Sequence, residues 1–185
     1  MAATDLSPRT GAVPIPASST TAPVRTGPVI ALLVVAAFVV ILNETTMGVA
    51  LTPIMQDLGV TASTGQWLTT GFLLTMAIVI PLTGFILSRF TIRQVFFTAM
   101  SLFALGTLIA ALAPSFEFLL AGRVVQASGT GVMMPLLFTT VLNIVPASHR
   151  GRMMGVITIV IAVAPAVGPT VSGLILSTLT WHAIF

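Results

Sequence analysis

Five long apolar runs, separated by short polar links, constrain this chain more than any other feature. They cover roughly residues 29–50, 66–87, 95–113, 118–141 and 153–177. Each matches the length of about 20 residues that a helix needs to cross the hydrocarbon core of a bilayer. Runs of this length without polar–apolar alternation are too long for barrel strands. A water-facing fold is excluded as well. Only 6% of the residues are charged and 56% are hydrophobic, whereas soluble domains carry about 25% charged residues. The expected fold class is an all-α membrane protein with five transmembrane helices.

The arginines set an orientation for these spans. Arg9 and Arg25 precede the first, Arg89 and Arg93 lie between the second and third, and Arg150 and Arg152 lie between the fourth and fifth. All six fall on one side, and the opposite links carry only Asp57 and Glu117. By the positive-inside rule the expectation is a multi-pass protein of the cell (plasma or inner) membrane with a cytoplasmic N-terminus. Residues 1–28 are rich in Ala, Pro, Ser and Thr, lack apolar content, and read as a disordered cytoplasmic tail. Residues 29–185 form the five-helix segment. Leu51, Ile54, Met55 and Leu58 keep a helical spacing past the first span, with Gly59 as the expected stop. Five spans place the ending W-H-A-I-F on the outer side, and its lack of a polar tail reads as an interruption within a longer protein.

Several function classes fall away. There is no cysteine, so no disulfide, thiol nucleophile or Cys-type metal site. His149 and His182 have no metal-ligand spacing, and no metal or other cofactor is expected. With four acids and two histidines near segment ends, no nucleophile–base constellation emerges, and the chain is not read as an enzyme. The net charge of +3 comes from seven scattered arginines, which do not make a nucleic-acid footprint.

The chemistry is expected where charges enter the spans. Glu44 and Arg123 are the two, and each costs about 2.5 kcal/mol or more to place in hydrocarbon. Counted from the outer ends of their spans they lie ~9 Å and ~8 Å deep at 1.5 Å per residue. Two arrangements fit that depth. Either both charges share one polar pocket, directly paired or through water, or Arg123 snorkels to the interface while Glu44 bonds only its neighbours. Asn43 and Thr46 beside Glu44, and Gln126 and Thr130 on the face of Arg123, are the further pocket residues. Asn43-Glu44-Thr45 also matches the N-glycosylation pattern, a reading that fails because Asn43 lies within a span. Ala127 and Gly131 form a small-xxx-small pair, and Met133 and Met134 read as gap fillers or as an adaptable wall. In the fifth span Ala164, Gly168 and Ser172 make a smooth seam. Pro165 and Pro169 beside it should kink the helix, which reads either as a tightly packed ordinary helix or as a bend at a moving interface.

Four stretches, in order, resemble the motifs of a known family. L-N-E-T-T-M-G-V-A-L-T-P-I, G-F-I-L-S-R-F-T-I-R, G-R-V-V-Q-A-S-G-T-G and A-P-A-V-G-P-T-V-S-G are similar to those in the N-terminal part of major facilitator superfamily transporters. The resemblance is to the fourteen-helix drug:H+ antiporter branch (EmrB/QacA type), its lincomycin-resistance-like members in particular, over residues 29–185. Glu44 stands where that branch usually has Asp, and Arg123 is the arginine of the fourth-span motif. Ala127, Ala164 and Ser172 replace glycines. The loop motif keeps Gly84, Arg89 and Arg93 with Ser88 in place of Asp, and the antiporter motif keeps Gly168, Pro169 and Gly173.

The resemblance implies multidrug or antibiotic efflux by proton-coupled antiport. Protons are the coupling ion, and a small amphiphilic drug-like molecule is the substrate. Glu44 and Arg123 would carry the coupling, and Pro165, Gly168, Pro169 and Gly173 would form a hinge. Membrane lipid and the missing C-terminal transporter helices are the expected partners. The alternative expectation is a truncated, transport-inactive membrane fragment, since midplane sites in such transporters lie between repeats.

Overall fold

The computed structural model describes residues 26–185. Most of the expected tail, residues 1–25, lies outside the described residues, but residues 26–28 belong to the first helix. That helix, α1, runs Thr26–Asp57. A single turn, α2, follows at Ala62–Gly65, then the long helices α3 (Trp67–Arg89), α4 (Ile92–Ala111), α5 (Phe116–Ile144) and α6 (Ala147–Thr178). A 3-10 turn over Trp181–Ile184 closes the described chain. Five of these helices are long and apolar enough to cross a membrane, and no strand occurs among the described residues.

The helix ends differ from the apolar runs for local reasons. α1 continues to Asp57, and the chain leaves it through Gly59 at φ 62°, a left-handed position suited to glycine. α4 begins three residues before its apolar run. Thr91 accepts from the Gln94 backbone N–H and Gln94 Oε1 accepts from the Thr91 N–H, a capping box that nucleates the helix there. α6 begins at Ala147, after Pro146, so Arg150 and Arg152 ride on its first turns rather than in a loop. Arg150 Nε then donates to the Val145 carbonyl at 2.9 Å, satisfying one of the orphan acceptors at the end of α5.

α5 is the central element, with Leu119 through Val141 largely buried. α4 and α3 pack on it from two sides, α1 joins it, and α6 packs on α1. The core has two apolar clusters. One, toward the Thr26 end of α1, gathers Leu33, Val40, Phe103, Leu136 and Val141. The other, toward Asp57, gathers Met47, Ile54, Ala110, Leu119 and Trp181. Between them three helices carry polar side chains: Asn43–Thr46 on α1, Thr107 on α4, and Arg123, Gln126 and Thr130 on α5. The fold therefore sandwiches one polar layer between two oily ones.

Close approach of α4 to α5 sets the width of that layer. A Cβ on Gly106 would overlap the backbone of Gln126, its Cα at 2.6 Å and the Gly122 carbonyl oxygen at 2.7 Å. α6 reaches α1 in the same manner: a Cβ on Gly168 would collide with Thr45. The expected seam of Ala164, Gly168 and Ser172 is buried along this contact, and Ser172 Oγ donates to the Thr46 carbonyl at 3.1 Å. Pro165 and Pro169 are accommodated within one continuous helix and, with Gly173, point away from the seam on an exposed face. Gly106→Ala should destabilise the bundle by about 1–3 kcal/mol through overpacking, read as a lowered thermal unfolding midpoint in detergent.

Candidate functional site

Within the polar layer the side chains form a connected network. Arg123 is 1% exposed, which excludes snorkelling to the interface. Its Nη1 donates to Gln126 Oε1 at 2.6 Å, and its guanidinium lies over the Phe72 ring with Cζ 4.0 Å from the centroid. The first contact is possible because Arg123 and Gln126 sit at i and i+3 on one helix face. The second replaces hydration with the negative face of an aromatic ring. Gln126 Nε2 donates twice, to Asn43 Oδ1 on α1 at 2.9 Å and to Thr107 Oγ1 on α4 at 2.8 Å. Asn43 Nδ2 in turn donates to the Ile184 carbonyl at 3.3 Å. Three helices and the terminal turn are thus joined through two carboxamides.

The remaining pocket residues satisfy themselves locally. Thr46 Oγ1 donates to the Asn43 carbonyl and Thr130 Oγ1 to the Gln126 carbonyl. These bonds keep each hydroxyl from being an orphan polar group in an apolar surrounding. They also leave the hydroxyl faces turned along their own helices.

Glu44 stands apart from this network. Among the described residues it makes no ion pair with Arg123, so direct pairing, one of the two forms of the shared pocket, is not what the structure contains. Glu44 is half-buried at the edge of a cavity of about 80 Å³ between α1, α3 and α5, whose wall includes Met76, Thr130, Gly131, Met133 and Met134. Thr130 is the residue shared by the two places, lining the Glu44 cavity while bonded to the Gln126 backbone. A larger cavity of about 370 Å³ opens between α3, α4 and α5, but its lining carries no ionisable side chain.

The loop motif lies far from this layer in sequence and in place. Gly84 within α3, Arg89 at its end and Arg93 in the first turn of α4 are exposed, and Arg89 and Arg93 lie over the rings of Phe85 and Phe97. Two residues of the network escape sequence reasoning. Thr107 is a lone hydroxyl in the run A-L-G-T-L-I-A, with the adjacent Gly106 as a signal of close approach. Phe72 is one aromatic in an apolar helix and carries no signal of its own.

Comparison with known proteins gives a consistent assignment. The Major Facilitator Superfamily profile matches residues 33–185. The lincomycin resistance protein LmrB of Bacillus subtilis (strain 168) is 52% identical over 158 residues, 85% of this chain and 33% of that protein. LmrB of Listeria monocytogenes serovar 1/2a is 51% identical over 162 residues, 88% of this chain and 34% of its own length. The multidrug export protein EmrB of Haemophilus influenzae is 34% identical over 166 residues, 88% of this chain and 32% of its own. The chain therefore spans about a third of the length of these curated relatives.

The network ranks its own members. Gln126→Leu removes the acceptor of a buried cation and should cost about 1.5–3 kcal/mol. Thr107→Val removes one neutral interhelical bond and should cost about 0.6 kcal/mol. Thermal unfolding of both variants in detergent checks the order.

Proposed function

The chain belongs to the Major Facilitator Superfamily, and from that premise we propose that it is the N-terminal part of a proton-coupled antiporter that exports small amphiphilic, drug-like molecules. A protein of this family with five membrane-crossing helices resides in a membrane. The arginine distribution supports a cytoplasmic N-terminus in the cell membrane. The names of the relatives, lincomycin resistance and multidrug export, support the substrate class and the direction of transport.

One observation carries the mechanistic part of the reading: a half-buried carboxylate in the same polar layer as a guanidinium that is already held by neutral partners. Arg123 is bonded to Gln126 and stacked on Phe72, so Glu44 is left without an ion-pair partner. A carboxylate in such a place is free to take up and release a proton. An approach of the arginine toward it would favour release, and a retreat would favour uptake. The methionine-lined cavity at Glu44 supplies an adaptable apolar wall for part of a substrate, and the remaining helices of the longer protein would supply the rest. Alternating access would come from rocking of repeat-related halves. Pro165, Pro169 and Gly173 form an exposed face of α6, which would meet further helices of the longer protein as a hinge surface. Lipid would cover the outward apolar faces, and no cofactor beyond the proton is required.

In the full-length transporter, Glu44→Gln should abolish the dependence of efflux on a pH gradient while Glu44→Asp retains it. Substrate-driven proton movement in membrane vesicles is the measurement. Proton-coupled efflux at the parental rate in Glu44→Gln would remove Glu44 from the coupling.

A further inference from the structure

The four-member chain Arg123, Gln126, Asn43 and Ile184 has a single direction. A guanidinium has donors only, and a backbone carbonyl only accepts. Between them lie two carboxamides, each with a donor end and an acceptor end. Arg123 Nη1 donates to Gln126 Oε1, Gln126 Nε2 donates to Asn43 Oδ1, and Asn43 Nδ2 donates to the Ile184 carbonyl. Reversing either amide would set two donors against each other at Arg123 or two acceptors against each other at Ile184. Bonds aligned in one sense also polarise one another.

We propose that this relay couples the Trp181–Ile184 turn to the position of Arg123, with Asn43 as the positioning residue that joins them. When the turn is seated at the Asp57 end of the bundle, Asn43 is fixed with its Oδ1 toward Gln126, and Gln126 is fixed with its Oε1 toward Arg123. When the turn lifts, Asn43 Nδ2 loses its acceptor, both amides are free to rotate, and the hold on Arg123 weakens. Arg123 has a spare donor to make another bond: its Nε is the one buried side-chain nitrogen or oxygen among the described residues without a partner. Glu44, next to Asn43 on α1, is the carboxylate of the same polar layer and would accept it. The turn has two other attachments, the Trp181 indole N–H to Asp57 Oδ2 at 2.8 Å and the burial of Trp181 and Ile184 against Met47, Ile54 and Leu119. It is thus a latch whose polar contact alone reaches into the buried layer. The coupling stands on geometry and does not depend on proton antiport.

The test reads the seating of the turn from afar. On a cysteine-free background of the intact protein in mild detergent, Ile184→Cys places a thiol that is buried when the turn is seated, with the backbone carbonyl unchanged. Ala183→Cys, exposed on the same turn, is the control. Two isosteric changes then reverse polarity without altering shape. Asn43→Asp replaces the donor to Ile184 with an acceptor. Gln126→Glu, which does not touch the turn, replaces the donor to Asn43 and forces the Asn43 amide to reverse. Each should raise the rate at which a water-soluble maleimide labels Ile184→Cys by about fivefold, the change expected from losing one intramolecular hydrogen bond. Labelling of Ala183→Cys should stay constant. A parental rate at Ile184→Cys in either variant would overturn the coupling. So would an equal rise at Ala183→Cys, which would mean general loosening instead of release of the latch.

Discussion

A guanidinium held between two oily layers has to be solvated by the protein itself. A charge at that depth is costly on every scale. In this bundle the solution is made of neutral groups: the Gln126 carboxamide on one side and the Phe72 ring on the other. The choice shapes everything around it. Gln126 must present its oxygen to Arg123, so its nitrogen needs acceptors, and α1 and α4 supply them through Asn43 and Thr107. Those helices must then stand close to α5, and for α4 the bare surface of Gly106 permits it. The polar layer and the interhelical spacing are one design seen from two sides.

The arrangement also leaves Glu44 in an unusual position. Had Arg123 formed a direct ion pair, the two charges would have neutralised each other, and breaking the pair would have been strongly opposed. With Arg123 held by Gln126 and Phe72, the acid stays beside a methionine-walled cavity and makes no ion pair with the cation. An acid in that condition is sensitive to small displacements of its neighbours. The proposed proton coupling would draw on that sensitivity.

Much of the fold was legible in the sequence because the bilayer allows so few solutions. Apolar runs of membrane-spanning length leave helices as the reading, and those runs correspond to α1, α3, α4, α5 and α6. The seam of Ala164, Gly168 and Ser172 was visible from its spacing of four, and the structure buries it against α1. Helix ends were harder, because they follow local chemistry that hydropathy does not register. The capping box of Thr91 and Gln94 could have been read from T-I-R-Q, and it starts α4 ahead of the apolar run. In the polar layer, Asn43, Gln126 and Arg123 announced themselves as polar residues in apolar surroundings. Which of them would bond was not legible, because attraction between opposite charges argued for Glu44 and Arg123 while helical geometry placed Gln126 nearer. Phe72 and the Ile184 carbonyl were invisible for a simpler reason: an aromatic in a membrane helix and a backbone oxygen carry no distinguishing mark in sequence.

The central claim is that Gln126, and not Glu44, is the partner that holds Arg123. A pair of double-mutant cycles tests it most directly, combining Arg123→Leu with Gln126→Leu and, separately, with Glu44→Gln, read as unfolding free energies in detergent. Residues in direct contact couple by about 0.5–3 kcal/mol. The account predicts a coupling in that range for Arg123 with Gln126 and a smaller one for Arg123 with Glu44. A larger coupling between Arg123 and Glu44 would contradict it.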